Sequence, residues 1–281
     1  KALIDSLLFE INSKETMLNN EVINFQFEHS ITLSLTVVTV LVYDRSSIEV
    51  TLASYNLLSS DAKLLLTAEK ALLDSLLIEI IIQEAIVFEV TTFKQDHLST
   101  LTFTDSSVSI SNLSSVDSAL LAYESLSDDA KALLIAEKGL LDGLLVEINR
   151  QIDVESEVTT FKSDYASTLI LTVNTVQISH KAMIELALSA YDALSNDAMN
   201  KLASEKALLV NLLSEINRLE AVELEISTFE ANHASTLALT TSTVTVSDRS
   251  DVEVAISAYH ELSSDATAQL AIEKVLLDNL L

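Results

Sequence analysis

Cysteine, proline and tryptophan are absent from these 281 residues, and glycine occurs only at 139 and 143. Without cysteine there can be neither disulfides nor thiolate metal sites, a condition compatible with the cytosol and with extracellular chains that go unlinked. Two glycines cannot build a P-loop or a dinucleotide fingerprint, and no GxSxG elbow is present. Helix breakers are nearly missing. Basic residues are scarce as well: 16 against 42 acidic ones give a formal charge of −26. Such a surface repels a phosphate backbone, so no nucleic-acid partner is expected, and it repels an anionic membrane surface. The acidic excess reads as a solubilising charge that keeps long chains apart; a calcium loop of the EF-hand kind would need a glycine at its turn, and none is found. Long apolar runs are the last absence. The most apolar stretch, Ile78 to Val90, is broken by Glu79, Glu84 and Glu89, so neither a transmembrane segment nor a signal peptide is expected.

What is present is repetition, the first thing to look for in such a chain. Lys70-Ala-Leu-Leu-Asp-Ser-Leu-Leu-Ile-Glu-Ile80 returns at Lys138 to Ile148 and Lys206 to Ile216, begins the chain at Lys1 to Ile11, and closes it at Lys274 to Leu281. The offsets are 69, 68, 68 and 68 residues. Phe25, Phe93, Phe161 and Phe229 keep the same phase, as do Tyr55, Tyr123, Tyr191 and Tyr259, the aspartates from Asp61 and the glutamates from Glu69. The sequence therefore divides into repeats at 1–69, 70–137, 138–205 and 206–273, with 274–281 opening a further one. Each repeat is too small to bury a large core alone, so neighbouring repeats are the expected partners of one another. A hydrophobic content of 49% supplies a packed core. The chain begins on Lys1 and ends in the same phase, as a window cut from a longer array would, and the array is expected to continue beyond at least one end.

Within a repeat, Ser127-Asp-Asp-Ala opens a helix, with Ser127 as N-cap and both aspartates near the positive end of the dipole. Leu133, Leu134, Leu140, Leu141, Leu144, Leu145 and Ile148 follow at helical spacing, and Ile152, Val154, Val158, Phe161, Tyr165 and Leu169 extend the pattern. The spacing predicts one helix from about 128 to 169, ~60 Å long at 1.5 Å per residue, a length of coiled coils and helical rods. Leu171 to Ile178 and its counterparts, Leu35 to Val42, Phe103 to Ile110 and Leu239 to Val246, are β-branched and rich in hydroxyls, and predict a short extended connector. A shorter helix follows and ends near Leu194. Ser46-x-x-Glu49 and Ser250-x-x-Glu253 have capping-box spacing at its start, Ser114-x-x-Asp117 approximates it, and Ala182 lacks it. The expected fold is all-α: tandem three-helix bundles that share long continuous helices, with one extended connector per repeat, in a spectrin-like elongated rod. Two-helix solenoid stacking is the other arrangement, with shorter helices and glycine or proline turns.

Few residues invite chemistry. His29, His97 and His233 share one phase, but Tyr165 stands there in the third repeat and no second ligand recurs beside them, so a half-buried packing position is expected. His180 and His260 each occur once. Lys70, Lys138 and Lys274 precede Asp74, Asp142 and Asp278 by four residues, the spacing of weak helical pairs, and Val210 replaces the acid after Lys206. The tyrosines of the Tyr55 series fit the core. The Ser/Thr-rich connectors, such as Thr100 to Ser118 and Thr240 to Ser250, suit loops and helix starts; they are also possible O-glycan carriers, and Asn112-Leu-Ser114 is an N-glycosylation sequon. No catalytic, cofactor-binding or metal-ligating residue is assigned, and no enzyme activity is expected.

Phe-x-x-x-His-x-x-x-Leu-x-Leu-Thr, then Ala-Tyr-x-x-Leu-Ser-x-Asp-Ala and Glu-Lys-x-Leu-Leu-Asp-x-Leu-Leu, is clearest over Phe229 to Leu281. This run resembles repeats of large surface proteins of Gram-positive bacteria, and is similar in kind to the tandem three-helix modules of staphylococcal matrix-binding adhesins and FIVAR-type regions. The near absence of glycine and proline and the low lysine count depart from that pattern. The resemblance implies an extracellular or cell-surface location and a stalk, spacer or filament-forming role. An adhesin module gripping a host or matrix protein through helix faces is the alternative, and an intracellular spectrin-like scaffold a third. Because the shared positions are core-like, the spacer is favoured. Other copies of the chain, or an extracellular protein, are the expected external partners.

Overall fold

The computed structural model describes all 281 residues. They form a helical bundle protein with no strand, and fall into two compact units, Lys1–Asn149 and Arg150–Leu281. The first contains α1 (Ala2–Glu28), α2 (Ser30–Leu33), α3 (Arg45–Leu57), α4 (Ser60–Leu65), α5 (Thr67–Asp96), α6 (Leu98–Leu101), α7 (Leu113–Glu124), α8 (Asp128–Leu133) and the start of α9 (Ile135–Asp164). The second contains the remainder of α9, then α10 (Ala166–Leu169), α11 (Lys181–Asp192), α12 (Asn196–Lys201), α13 (Ala203–Asn232), α14 (Ala234–Leu237), α15 (Arg249–Glu261), α16 (Ser264–Gln269) and α17 (Ala271–Leu280).

In the first unit α5 packs its beginning against α3 and its later part against α7 and α8, while α1 packs on α4. In the second, α13 packs against α11 and then α16, and α15 packs against α17. α5 and α13 thus each pack on helices that precede them and on helices that follow them. The reason lies in the apolar residues: α5 buries Leu73, Leu76 and Ile80 in its first half and Phe93 near its end. Leu209, Leu212 and Ile216 do the same in α13, with Val222 and Phe229 after them. The buried set keeps the sequence period. Ile48, Val116, Ile184 and Val252 are all fully buried, as are Ala62, Ala130, Ala198 and Ala266.

The single helix expected from 128 to 169 is interrupted twice. Leu134 leaves α geometry at φ −113°, ψ 19°, and Tyr165 at φ −108°, ψ 18°. Leu66, Leu202, His29, His97 and His233 make the same breaks at φ between −114° and −104°. All lie near the bridge region open to any residue, so neither glycine nor proline was needed to signal them. The break at Leu66 frees late carbonyls of α4, and one is answered at once: the Tyr55 hydroxyl donates to the carbonyl of Lys63 at 3.1 Å. Tyr123, Tyr191 and Tyr259 donate likewise to Lys131, Met199 and Thr267.

The connectors are turns, not extended segments. In each, a threonine amide donates to a hydroxyl three residues on: Thr36 to Thr39, Thr104 to Ser107, Thr172 to Thr175, Thr240 to Thr243, at 2.8–3.0 Å. The amide of Val40 closes on the Thr36 carbonyl at 2.9 Å, and Val108, Val176 and Val244 repeat the bond. Hydroxyl side chains compete for backbone donors in this way, and here they fold a composition suited to strands into a turn. Leu41, Ser109, Gln177 and Thr245 are extended, each ahead of one 3₁₀ turn.

The expected capping boxes are displaced too. Ser46, Ser114, Ala182 and Ser250 lie inside α3, α7, α11 and α15. The box forms five residues earlier, on the 3₁₀ turn, where Asp44 Oδ2 accepts from the Leu41 amide at 3.0 Å and Asp248 Oδ2 from the Thr245 amide at 2.8 Å. Asn112 Oδ1 and His180 Nδ1 take the corresponding amides in the other two repeats.

Candidate functional site

Chemically distinctive residues gather where each short helix meets the end of a long one. Phe93, buried near the end of α5, lies one helical turn before His97, and their ring centroids are 5.1 Å apart. From α7 Tyr123 approaches the same phenylalanine edge-on at 6.2 Å. The geometry recurs at Phe25, His29 and Tyr55, at Phe161, Tyr165 and Tyr191, and at Phe229, His233 and Tyr259. Aromatic pairs prefer such tilted and edge-to-face arrangements. A lysine caps the cluster: Lys206 Nζ stands 4.6 Å from the Tyr191 centroid, and Lys138 and Lys274 stand 5.8 Å from Tyr123 and Tyr259, within cation–π range.

The histidine series is therefore half-buried packing. His29 of this series meets a hydroxyl: its Nδ1 is 3.2 Å from Thr51 Oγ1, whose proton goes to the Ser47 carbonyl at 2.8 Å; the residue equivalent to Thr51 is Ala119, Ala187 or Ala255 elsewhere. Nowhere do three or more histidine, aspartate or glutamate side chains converge as a metal would require.

Beside each aromatic cluster a glutamate on the long helix latches the start of the next short helix. The expected N-caps are present: the hydroxyls of Ser59, Ser127, Ser195 and Ser263 accept from the amides of Ala62, Ala130, Ala198 and Ala266 at 3.3 Å. Each serine also donates backward across the bundle. The Glu89 carboxylate accepts the amide and the hydroxyl of Ser127 at 2.9 and 2.7 Å, and Glu21 accepts both from Ser59 at 2.6 Å. Glu157 and Glu225 take the amides of Ser195 and Ser263 at 2.9 and 3.0 Å. Hydrogen bonds from the serine hydroxyl, then from its amide, hold all four carboxyls below the usual glutamate range. A carboxylate so held is a poor general base for the hydroxyl it accepts; the pair joins two helices.

These glutamates were missed in the sequence, although Glu21, Glu89, Glu157 and Glu225 keep the period and stand 38 residues before their serines. Period alone marks a recurring position; it does not say which distant recurring position it touches.

Open clefts flank the latches. Glu89, Phe93, His97 and Leu126 line one, and Glu225, Phe229, His233 and Leu262 line its equivalent. A second kind lies across the long helix, between Gln26 and Glu69 and between Lys162 and Glu205. Polar pairs span that position in three repeats: Gln26 to Glu69 at 2.6 Å, Lys94 to Glu137 at 2.7 Å and Lys162 to Glu205 at 2.9 Å. Glu230 and Glu273 occupy it in the fourth. The helical Lys–Asp pairs form as spaced, at 2.6–2.7 Å for Lys70, Lys138 and Lys274. Where Val210 removes the acid, Lys206 reaches Asp192 on α11 at 2.7 Å. Of the sequon, Asn112 is tied into its 3₁₀ turn through Oδ1, and Ser114 lies within α7. No helix is long and apolar enough to cross a membrane.

No protein-family model, curated protein or solved structure matches this chain.

Proposed function

We propose that the chain is a structural repeat region: a stalk, spacer or filament-forming segment of an extracellular or cell-surface protein. In this reading each 68-residue step is a three-helix bundle, long helices run from one bundle into the next, and the whole is an elongated rod. The single observation that carries it is the double use of the long helices. α5 is one uninterrupted helix whose first half packs on α3 and whose later half packs on α7 and α8. Bending between such neighbours would require breaking a helix, so length and stiffness follow from the same 30 residues. The Glu–Ser latches and Tyr–carbonyl bonds support the reading, because what recurs serves packing. The surface location rests on the sequence resemblance alone. Small-angle scattering on the 281-residue chain tests the shape: an elongated particle is expected, and a compact one would overturn the rod.

The open clefts favour a second reading, an adhesin module gripping an extracellular protein through helix faces. Its test is binding to immobilised matrix protein and loss of that binding in His97→Ala/His233→Ala, which change the clefts while leaving the latches in place.

A further inference from the structure

One long helix differs from its sisters on its free side. α5 is a single helix of 30 residues that buries Leu73, Leu76 and Ile80 over its first half and Phe93 near its end. Roughly a third of a turn from both buried directions lie Ile78, Ile81, Ala85 and Phe88, whose spacing is that of a two-helix seam. All four are exposed, Ile78, Ile81 and Phe88 at 59%, 51% and 71%. The place faces outward in the later repeats as well: Val146, Asn149, Asp153 and Ser156 on α9 are exposed, as are Ser214, Asn217, Ala221 and Leu224 on α13. Those two faces are mixed or polar. Of the three helices α5 alone carries an unbroken apolar stripe there, and it lies mid-chain, within the first compact unit.

The carboxylates beside the stripe are already engaged. Glu84 is held by Arg45 at 2.9 Å, and Glu89 by the hydroxyl of Ser127 at 2.7 Å. Polar residues bracket the stripe on the same side of the helix: Lys70 and Asp74, paired at 2.6 Å, come before it, and Thr92 and Asp96 after it. With Ile82 half-exposed at its edge, the stripe presents apolar surface on the order of 400 Å², a size that marks contact sites on single chains.

We propose that two copies of this chain pair side by side through α5, antiparallel and centred on Gln83. In that register the stripe complements itself. Ile78 of each copy meets Phe88 of the other, and Ile81 meets Ala85, a large residue opposite a small one. Beyond them Asp74 faces Thr92 and Lys70 faces Asp96, so opposite charges meet at both ends of the seam. A slip of one heptad in one direction sets Asp74 against Ala85, and in the other Ile78 against Gln95; either puts a polar group into the apolar centre, which is costly. The interface is isologous, the same patch on both copies, and it closes at a dimer. Two stripes cover on the order of 800 Å², and the polar residues at each end carry the contact toward the ~1,000 Å² of a weak specific interface. Elsewhere the acidic copies repel one another, which disfavours competing contacts.

The pairing goes beyond the stalk reading and can fail separately from it. Sedimentation velocity of the 281-residue chain over a hundredfold range of concentration is expected to show monomer giving way to dimer. Ile81→Asn/Phe88→Ser installs the residues that α9 carries as Asn149 and Ser156. Its circular dichroism should therefore match the parent while its association weakens at least tenfold. Val87 is 55% exposed but lies off the stripe, and Val87→Glu, which installs the residue α9 carries as Glu155, should leave association unchanged. Because the chain has no cysteine, crosslinking can read the register. In a mixture of Ile81→Cys and Ala85→Cys chains the mixed disulfide should form faster than either like one. A chain that stays monomeric, an association weakened as much by Val87→Glu as by the stripe variant, or like disulfides that form faster would overturn the pairing. A monomer with an elongated scattering profile would do so while leaving the stalk standing.

Discussion

Glu89 and Ser127, 38 residues apart, share two hydrogen bonds through one carboxylate oxygen, and the serine in turn caps α8. One side chain therefore fixes where a helix starts and which long helix it lies against. Ser127→Ala removes the cap and the hydroxyl half of the latch together. Loss of an N-cap alone costs about 1 kcal/mol, so a loss of at least that size is expected in urea unfolding. Ser127→Asp, which can still cap but confronts Glu89 with a second negative charge, should not recover it.

The same carboxylates make stability depend on acid. Their folded-state pKa values are depressed, so the unfolded chain binds protons more readily, and the latches contribute stability above the ordinary glutamate value of 4.5 and lose it as pH falls below that value through the folded one. The general relief of negative repulsion acts oppositely, so the comparison must be internal. The difference in unfolding midpoint between the parent and Glu89→Gln is expected to be largest near neutrality and to shrink below pH 4.5. A difference constant from pH 7 to pH 3 would show that the latch does not titrate.

Tyr191 reads as a core residue from its spacing, and it is buried; its hydroxyl nonetheless decides the local backbone. By donating at 2.8 Å to the Met199 carbonyl, which also accepts the Leu202 amide at 3.2 Å, it ties α11 to the point where α12 gives way to α13. Tyr191→Phe keeps the ring against Phe161 and removes only that bond. The carbonyl keeps its bond from the Leu202 amide, so the loss is that of one hydrogen bond, about 0.5–1.5 kcal/mol, and thermal unfolding of the variant should fall accordingly. Tyr43→Phe, at a residue 77% exposed, should leave the transition unchanged.

These residues mark what could be read without coordinates. Apolar spacing is a direct record of burial, which is why Leu141, Leu144, Ile148 and Phe161 were legible as one face. Ser127 was legible because a cap acts within its own three residues. The breaks at Leu134 and Tyr165 were not, because a ψ change of some 60° from helical values requires no special residue; at Leu134 it is answered by the Tyr123 hydroxyl, which meets the Lys131 carbonyl from the helix before. The connectors were misread for a related reason: β-branched residues signal extended backbone only when their hydroxyls do not capture the chain first, as Thr175 captures the amide of Thr172. Glu89 was invisible because its partner is set by packing. Local chemistry was readable, and chemistry that closes across the bundle was not.

The last prediction concerns the only two glycines. Gly139 and Gly143 both lie inside α9 without positive φ, and a Cβ added at either would meet no atom within 4 Å. Neither a turn nor a close approach requires them there. Glycine in a helix interior is less favourable than alanine by about 0.5–1 kcal/mol, chiefly through the freedom it restores to the unfolded chain. Gly139→Ala/Gly143→Ala should therefore raise stability by about 1–2 kcal/mol in denaturant titration, with the helical circular dichroism of the folded chain unchanged. A neutral or destabilising result would mean that α9 needs its freedom at these positions, and the stiffness attributed to the long helices would have to be reconsidered first in this one.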